Sequence, residues 1–302
     1  MFIDIHTHAY RRKAPIEPNF CTIEELLKRN DELGIEKCCI LPIVSPEIYF
    51  PQANEDILEM AQQYPDRVIP FCNVDPRSIT NSPYSDFVPV LEHYKELGCK
   101  GIGEVMPNLS FDDPMVQNLF YCAEKVGLPV TCDGSDVHTG DFGLYDDPGL
   151  PMLEHTLQRF PKLIMFGHGP VFWSEIAKLE TPASRGFVFD RNPLGHQVGR
   201  LPDEKITEEG VVPKLFRRYP NLMGDLSDGT AYNAFARDEE YGPKFMTEFQ
   251  DRLFFGTDMC FPDMPCELPA LLIRWKNEGR ISEEVFYKVA KGNAIRLLGL
   301  ED

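Results

Sequence analysis

Residues 2–8 read FIDIHTH, a short run that begins with apolar residues and ends in His-Thr-His. Side chains two positions apart on a β-strand point to the same face, so a strand here would turn His6 and His8 the same way. Two neutral imidazoles side by side suit a divalent transition metal. Phe2–His8 therefore predicts a buried strand with candidate metal ligands at its end.

Seven later stretches have the same character as Phe2–His8. Each is rich in β-branched or aromatic residues, ends in polar residues and precedes a helix-like segment. We predict strands at Cys38–Val44, Val68–Asp75, Cys99–Val105, Pro129–Gly134, Leu163–Gly169, Leu222–Asp228 and Leu253–Met259.

Amphipathic segments separate these predicted strands. In the first, Thr22–Leu33, Thr22 and Glu25 form a capping box and Gly34 is a natural stop for a helix. The other predicted helices are Asn54–Tyr64, Val88–Leu97, Pro114–Val126, Leu150–Phe160, Pro213–Tyr219, Pro243–Gln250 and Ser282–Leu298.

The spacing of the strands predicts the fold class. Their ends fall near residues 8, 44, 75, 105, 134, 169, 228 and 259, and six of the seven intervals are 29 to 36 residues long. Eight such units predict one α/β domain over residues 1–302, a (β/α)8 TIM barrel, for which about 250 residues is typical. A doubly wound sheet is the alternative, but it usually has a glycine-rich phosphate loop after its first strand, where this chain has HTH.

The one long interval predicts a βα loop at about residues 170–221. Its segment Pro182–Pro213 contains Gly, Pro and Arg and has weak periodicity. Long loops of this kind are surface excursions, contacts between copies in an oligomer, or lids over a barrel mouth. The sequence leaves these three alternatives open. It also leaves open whether the protein forms a homodimer.

The charge of the chain excludes some classes of partner. Lys and Arg number 30 against 48 Asp and Glu, a net charge of −18 with no basic patch, which predicts neither nucleic acid nor an anionic membrane as a partner. The polar residues Asp4 and His6 interrupt the first residues where a secretory signal needs an apolar run. Nine cysteines without a CxxC pair indicate reduced thiols. We therefore expect a cytoplasmic protein.

Candidate ligands gather at the carboxyl ends of the predicted strands, where barrel enzymes keep their active sites. Asp258 and His168 each follow an apolar strand, and burial of an unpaired carboxylate costs several kcal/mol, so Asp258 needs a partner. A helix cap or ion pair for Asp258, a core position for His168 and a structural hydrogen bond for Glu104 remain alternatives. The complete set is His6, His8, Glu104, Asp133, His168, Asp225, Asp228 and Asp258.

The order of these residues resembles the amidohydrolase superfamily, and within it the amidohydrolase-related branch of hydrolases and metal-dependent decarboxylases. The resemblance spans nearly the whole chain and rests on HTH, GEV, GHG and GTD at the ends of strands one, four, six and eight. It implies a distorted (β/α)8 barrel in which the metal ligands are His6, His8 and Asp258. It also implies Glu104 as a ligand, and His168 either as a ligand or as the imidazole that polarises the substrate.

Strand five departs from the family pattern. Relatives commonly have a histidine there, whereas this chain has Asp133, with His138 five residues on as a possible substitute. A carboxylate ligand would shift the preference of the site from Zn²⁺ toward Mn²⁺ or Mg²⁺. Asp133 could instead bind the substrate or the backbone near Gly134.

These residues predict a metal-dependent hydrolase of a small-molecule amide, ester or lactone that uses metal-activated water. Asp258 would carry the proton and His168 would stabilise the oxyanion. A decarboxylase that uses the same metal is the alternative, and an inactive scaffold or sensor is a third. For substrate contacts we predict Arg237, Asp225, Asp228 and Asn233, with Arg185 as a further candidate unless it pairs with a neighbouring acid.

Overall fold

The structure is a computed structural model that describes residues 1–15, 17–47, 50–181, 185 and 201–301. All eight predicted strands are present, together with two short additional ones that follow the fifth. The strands are β1 Phe2–Thr7, β2 Ile35–Ile40, β3 Val68–Pro70, β4 Ile102–Val105, β5 Val130–Cys132, β6 Gly134–Ser135, β7 Leu144–Tyr145, β8 Met165–Gly167, β9 Leu222–Asp225 and β10 Leu253–Phe254.

The main strands form two parallel sheets, one in the order β1-β2-β3 and one in the order β10-β9-β8-β5-β4. Single bridges join the two sheets at both seams, Cys72 with Ile102 and Thr7 with Met259. The eight strands thus follow one another in chain order round a ring, but neither seam has a continuous ladder. This agrees with the predicted α/β barrel and with its predicted distortion.

Helices follow the strands as predicted, and several predicted boundaries are close. In α1, the backbone N–H of Thr22 donates to Glu25 (2.9 Å), and Gly34 ends the helix with a φ of +72°. The helices are α1 Ile23–Leu33, α2 Asn54–Gln63, α3 Val88–Glu96, α4 Pro114–Val126, α5 Pro151–Arg159, α6 Gly169–Trp173, α7 Val211–Arg218, α8 Asp228–Ala236, α9 Tyr241–Glu248, α10 Leu268–Asn277, α11 Glu283–Tyr287 and α12 Asn293–Leu298.

Several elements differ from the prediction, among them the unpredicted helix α10. The interval 170–221 is not one loop, because α6 and α7 occupy its two ends; residues 182–184 and 186–200 within it lie outside the described residues. The C-terminal helix is interrupted by a π-helical turn over Lys288–Gly292. The unpredicted α8 buries Thr230, Ala231, Ala234 and Phe235, small and aromatic residues that give it little amphipathic contrast.

The core lies between the sheets and the helices around them. Trp173, Phe216, Phe235 and Phe245 are buried in one aromatic cluster behind β8 and β9. All nine cysteines are free, as predicted, and eight are buried. Among the described helices, none combines the length and the apolar character that crossing a membrane requires.

Candidate metal centre

The imidazoles of His6 and His8 meet at the end of β1. Their Nε2 atoms are 3.1 Å apart. Nδ1 of His8 lies 2.9 Å from the carbonyl oxygen of Leu41, and Nδ1 of His6 lies 2.6 Å from Oδ2 of Asp225. A carbonyl can only accept, so Nδ1 of His8 carries a proton, and neutral His8 turns the lone pair of Nε2 toward His6.

Two carboxylates complete this group. Oε2 of Glu104 lies 3.5 Å from Nε2 of His6 and 3.3 Å from Nε2 of His8. Oδ1 of Asp258 lies 3.6 Å and 3.3 Å from the same two atoms. The four ligand atoms are all within 4.8 Å of one another. The Asp258 side chain is 22% exposed, whereas that of Glu104 is only 4% exposed, so Asp258 forms the accessible side of the group.

Burial and charge oppose each other in this group. Burial alone would lower the pKa of His8, but hydrogen bonds to Asp258 and Glu104 raise it to about 9. Burial likewise would raise the pKa of Glu104, but the charge of His6 brings that pKa well below its usual range. Without a cation, therefore, the imidazoles must carry the positive charge that the carboxylates require. Two inward nitrogens and two carboxylate oxygens fit a divalent cation that would take over that charge.

Asp133 and His168 lie against the same group. Nε2 of His168 is 3.6 Å from Oε1 of Glu104, and one ligand atom each of Glu104, Asp133 and His168 lie within 4.8 Å of one another. Burial raises the pKa of Asp133 well above its usual range, and the charges of Glu104 and Asp258 raise it further. Gly169 accommodates this carboxylate, because a Cβ atom there would overlap Oδ1 of Asp133. The structure thus brings Asp133 and His168 to the predicted centre.

Asp225 and Ser227 form the buried wall behind the histidines. The carboxylate of Asp225 has no exposed surface and accepts the backbone N–H of Ser227 at 3.0 Å as well as contacting His6. Oγ of Ser227 lies 2.9 Å from Nδ1 of His168 and 3.3 Å from Nδ1 of His6. Ser227 was not among the predicted site residues, although its place in the polar run that follows β9 could have indicated it.

Three of the predicted substrate contacts, Asp228, Asn233 and Arg237, lie along α8 or directly after it. Asp228 is the first residue of α8 and has a φ of +65°. Burial raises the pKa of Asp228, and the charge of Asp258 raises it further. Nδ2 of Asn233 donates to the carbonyl of Pro202 at 3.0 Å. Arg237 follows the last residue of α8, about 13 Å from Asp228 at 1.5 Å per helical residue. It lines a cavity of about 560 Å³ with Lys178 and other residues, and no described residue of the metal-ligand groups lines that cavity.

Two other candidates have partners elsewhere. Nε of Arg185 is 2.9 Å from Oε1 of Glu175, the ion pair that was the alternative to substrate contact. The ring of His138 stacks on Tyr145 with 3.5 Å between centroids. His138 belongs to none of the ligand groups found among the described residues.

A buried carboxylate beneath the centre was not singled out as a site residue. Asp4 accepts the backbone N–H of His6 and both the N–H and the hydroxyl of Thr257, at 3.0, 3.0 and 2.6 Å. Burial raises the pKa of Asp4 to about 7. These bonds tie the residues before His6 and Asp258 together.

Comparison with known proteins agrees with this architecture. Residues 3–300 match a family model described as amidohydrolase. No curated protein matches the chain. Among solved structures, an uncharacterized TIM-barrel protein from Bordetella bronchiseptica is similar, with 17% identity, a TM-score of 0.63, and coverage of 99% of this chain and 98% of the other.

Two further structures carry names that describe different reactions. A probable 2-pyrone-4,6-dicarboxylic acid hydrolase from Acinetobacter baumannii is 14% identical, with a TM-score of 0.58 and 99% of both chains covered. A 5-carboxyvanillate decarboxylase from Sphingomonas paucimobilis is 16% identical, with a TM-score of 0.59 and 99% of both chains covered. These likenesses establish a shared fold, and that fold accommodates both hydrolysis and decarboxylation.

Proposed function

This chain belongs to the amidohydrolase family, and we propose that it is a metal-dependent hydrolase of a small, neutral amide, ester or lactone. The observation that carries the proposal is the convergence of four ligand atoms, from His6, His8, Glu104 and Asp258, at the carboxyl ends of the strands. Barrel enzymes have their active sites at this end.

These four residues would hold a divalent cation. Such a cation polarises a substrate carbonyl and lowers the pKa of a bound water molecule toward neutrality. Zn²⁺ fits two imidazoles with carboxylates, and Asp133 would move the preference toward Mn²⁺ or Mg²⁺ if it also binds. The buried carboxylate of Glu104, whose pKa burial alone would raise but the charge of His6 brings well below its usual range, supports a cation in either case.

Asp258 is the residue that we assign to proton transfer. It is the most exposed member of the four, so substrate and water can reach its carboxylate. It would accept a proton from the attacking water and return it to the leaving nitrogen or oxygen when the bond to the carbonyl carbon breaks. His168 lies beside it, with 3.9 Å between Nε2 of His168 and Oδ2 of Asp258, and we assign it to the same reaction.

The charge around the centre supports a neutral substrate. In the described part of the chain, no ion pair joins a lysine or arginine to Glu104, Asp133, Asp228 or Asp258, whereas the charge of Asp258 acts on both Asp133 and Asp228. Among the described residues, therefore, no lysine or arginine paired with these carboxylates would add to the attraction of the cation for a substrate carboxylate, which favours hydrolysis over decarboxylation. The net charge of −18 also argues against nucleic acid or an anionic membrane as a partner, which leaves a small molecule as the proposed substrate.

One experiment separates the candidate functions. The purified protein is stripped of metal, reloaded with Zn²⁺, Mn²⁺ or Mg²⁺, and assayed with lactones, esters, amides and aromatic carboxylic acids. We expect metal-dependent formation of a carboxylic acid from one of the first three classes, with net proton release from a lactone or ester and release of an amine from an amide. Release of carbon dioxide from a carboxylic acid would instead establish the decarboxylase, and a protein that binds no divalent metal would support the scaffold.

A matched pair of histidine variants makes the result specific. His8→Asn removes a proposed ligand, whereas His138→Asn changes an exposed histidine outside the ligand groups. We expect loss of metal and activity in the first and neither loss in the second. Equal metal content in both variants would contradict the proposed centre.

A further inference from the structure

A buried asparagine lies at the seam between β3 and β4. Asn73 is three residues beyond the last residue of β3, and its side chain is buried. Its Nδ2 lies 2.6 Å from the carbonyl oxygen of Glu104 and 3.0 Å from the carbonyl oxygen of Pro42. One carboxamide thus bridges the segment that follows β2 and the carboxyl end of β4.

The partners of Asn73 determine the orientation of its carboxamide. A carbonyl oxygen can only accept, so the group that faces the two carbonyls must be the NH2 group, which has two protons to donate. At the other end of the carboxamide, Oδ1 accepts the backbone N–H of Val74 at 2.9 Å. The reversed orientation would place an oxygen against two oxygens. Asn73 therefore has one satisfied orientation, and this orientation uses both of its amide protons.

The backbone of Asn73 is held by a second asparagine, the first residue of α2. Oδ1 of Asn54 accepts the backbone N–H of Asn73 at 2.8 Å, and Nδ2 of Asn54 donates to the carbonyl of Asn73 at 3.1 Å. These two bonds fix the peptide segment from which the Asn73 side chain extends. Asn73 is thus fixed to α2 while its side chain contacts two other segments.

Both of the contacted segments belong to the candidate metal centre. Glu104 is itself a candidate ligand. Pro42 directly follows Leu41, whose carbonyl oxygen lies 2.9 Å from Nδ1 of His8. The carbonyl that Asn73 contacts is therefore the next one along the chain from the carbonyl that orients the His8 ring.

The side chain of Asn73 continues the hydrogen bonding of the seam toward the centre. The backbone N–H of Cys72 donates to the carbonyl of Gly101, and the backbone N–H of Gly103 donates to the carbonyl of Cys72, both at 3.0 Å. One residue further along each segment, the donor is the Asn73 side chain and the acceptor is the carbonyl of Glu104. A side chain thus joins the two segments at the level of the ligand.

We infer that Asn73 is a positioning residue that holds the Glu104 segment at a fixed distance from the segment that orients His8. It acts on backbone carbonyls, with one amide proton for each segment. Across this arrangement Oε2 of Glu104 lies 3.3 Å from Nε2 of His8. The consequence for metal binding rests on the proposed function, whereas the geometric role of Asn73 does not.

The variants Asn73→Asp and Asn293→Asp form a matched pair for metal binding. Nδ2 of the buried Asn293 also donates to two carbonyls, those of Gln250 and Leu253 at 2.7 and 2.8 Å, where the chain enters β10. Each variant places an oxygen against two carbonyl oxygens, so we expect both to lower the thermal midpoint of unfolding. Only Asn73→Asp should bind Zn²⁺ more weakly, by about 10-fold to 100-fold in calorimetry, the usual cost of losing a supporting contact.

Two results of this comparison would refute the inference. One is Zn²⁺ affinity in Asn73→Asp equal to that of the wild type. The other is an equal loss of affinity in both variants, because this would show only a general destabilisation. Asn73→Ala removes the same two bonds without adding a charge to the core, and it replaces Asn73→Asp in the comparison if the aspartate variant does not fold.

Hydrogen exchange in metal-free protein tests the geometric role by itself. The amide proton of Gly103 reports on the seam, and the amide proton of Val130, which donates to the carbonyl of Ile164 at 2.9 Å, reports on the continuous five-stranded sheet. In Asn73→Ala we expect Gly103 to exchange about 5-fold faster than in the wild type, the factor for one ordinary hydrogen bond, and Val130 to keep its rate. An unchanged rate at Gly103, or an equal increase at both amides, would overturn the inference.

These measurements also separate the inference from the proposed function. Selectively faster exchange at Gly103 in a protein that binds no divalent metal would leave the role of Asn73 standing and remove the hydrolase proposal. Tight Zn²⁺ binding with unchanged affinity and unchanged exchange in the Asn73 variants would do the opposite.

Discussion

Nδ1 of His6 lies 2.6 Å from Oδ2 of Asp225, although 219 positions separate the two residues in the chain. His6 lies in β1 of the three-stranded sheet, and Asp225 is the last residue of β9 in the five-stranded sheet. The carboxylate accepts the Nδ1 proton and so leaves Nε2 of neutral His6 free to bind a cation. Asp225, which the sequence suggested as a substrate contact, is therefore proposed to orient a metal ligand.

Asp225→Asn should weaken metal binding. An asparagine can offer an N–H instead of an acceptor to His6, which then favours a proton on Nε2, where the cation must bind. We expect metal affinity to fall by about 10-fold to 100-fold, measured by calorimetry with Zn²⁺. Asp112→Asn is the matched control, because Asp112 contacts Nδ1 of the exposed His155 at 2.8 Å. Equal affinities in the two variants would refute the orienting role.

Asp258→Asn should retain the fold and the bulk of its stability but lose turnover. Asparagine is nearly isosteric with aspartate, but its amide cannot take up and release a proton at neutral pH. Steady-state rates are compared once a substrate has been found, with circular dichroism to check the fold. Turnover above one tenth of the wild-type value would exclude Asp258 as the proton carrier.

Asp133 should decide which metal the centre prefers. Replacement by histidine removes a negative charge and adds a nitrogen ligand, so Asp133→His should shift the preference toward Zn²⁺ over Mn²⁺. Competition between the two ions, followed by elemental analysis, measures the shift. If Asp133→Ala keeps the metal content and preference of the wild type, Asp133 is not a ligand.

Gly256 should tolerate no side chain. A Cβ atom there would lie 2.7 Å from Oδ1 of Asp225 and 2.8 Å from Cβ of Ser227. We expect Gly256→Ala to reduce the free energy of unfolding by about 1–3 kcal/mol, the usual cost of overpacking. In Gly229→Ala the new methyl group meets no atom within 4 Å, and helix propensity predicts a gain of up to about 1 kcal/mol. Urea denaturation of both variants gives the comparison, and equal stabilities would contradict the close packing.

Removal of the cation should lower the thermal midpoint of unfolding. A ligand that binds only the folded state stabilises it by about 4 kcal/mol at a concentration of 1,000 times its dissociation constant. We expect about one tightly bound divalent cation per chain and a midpoint that rises with added metal. Calorimetry of stripped and reloaded protein tests this, and a midpoint independent of metal would argue against a folded-state site.

The sequence predicted the strands better than their surroundings. All eight strand positions were predicted because apolar runs with polar ends repeat at βα spacing, and the Thr22 capping box fixed the start of α1. The second strand starts earlier than predicted, at Ile35, because it pairs with Phe2 directly after the turn at Gly34. Strand edges depend on the partner strand, which a local pattern does not contain.

For the site, the residues that the structure brings together are those that lie at strand ends. His6, His8, Glu104, Asp133, His168 and Asp258 do meet, because parallel strands carry their carboxyl ends to one side. Arg237 was predicted as a substrate contact, but α8 separates it from Asp228 along the helix axis. Ser227 could not be ranked from sequence, because its role depends on imidazoles from two other strands.

The proposed metal centre lies where the two sheets of the barrel meet, so a bound cation would connect them. His6 and His8 belong to the three-stranded sheet, whereas Glu104 and Asp258 belong to the five-stranded sheet and the turn that follows it. A cation held by all four would add a cross-link between two sheets whose edges are otherwise joined by a few hydrogen bonds at each seam, such as that from the N–H of Asp258 to the carbonyl of His6 at 2.8 Å. The ion would thus stabilise the arrangement of the strands that carry its own ligands. Its loss would allow the three-stranded and the five-stranded sheet to move more freely relative to each other.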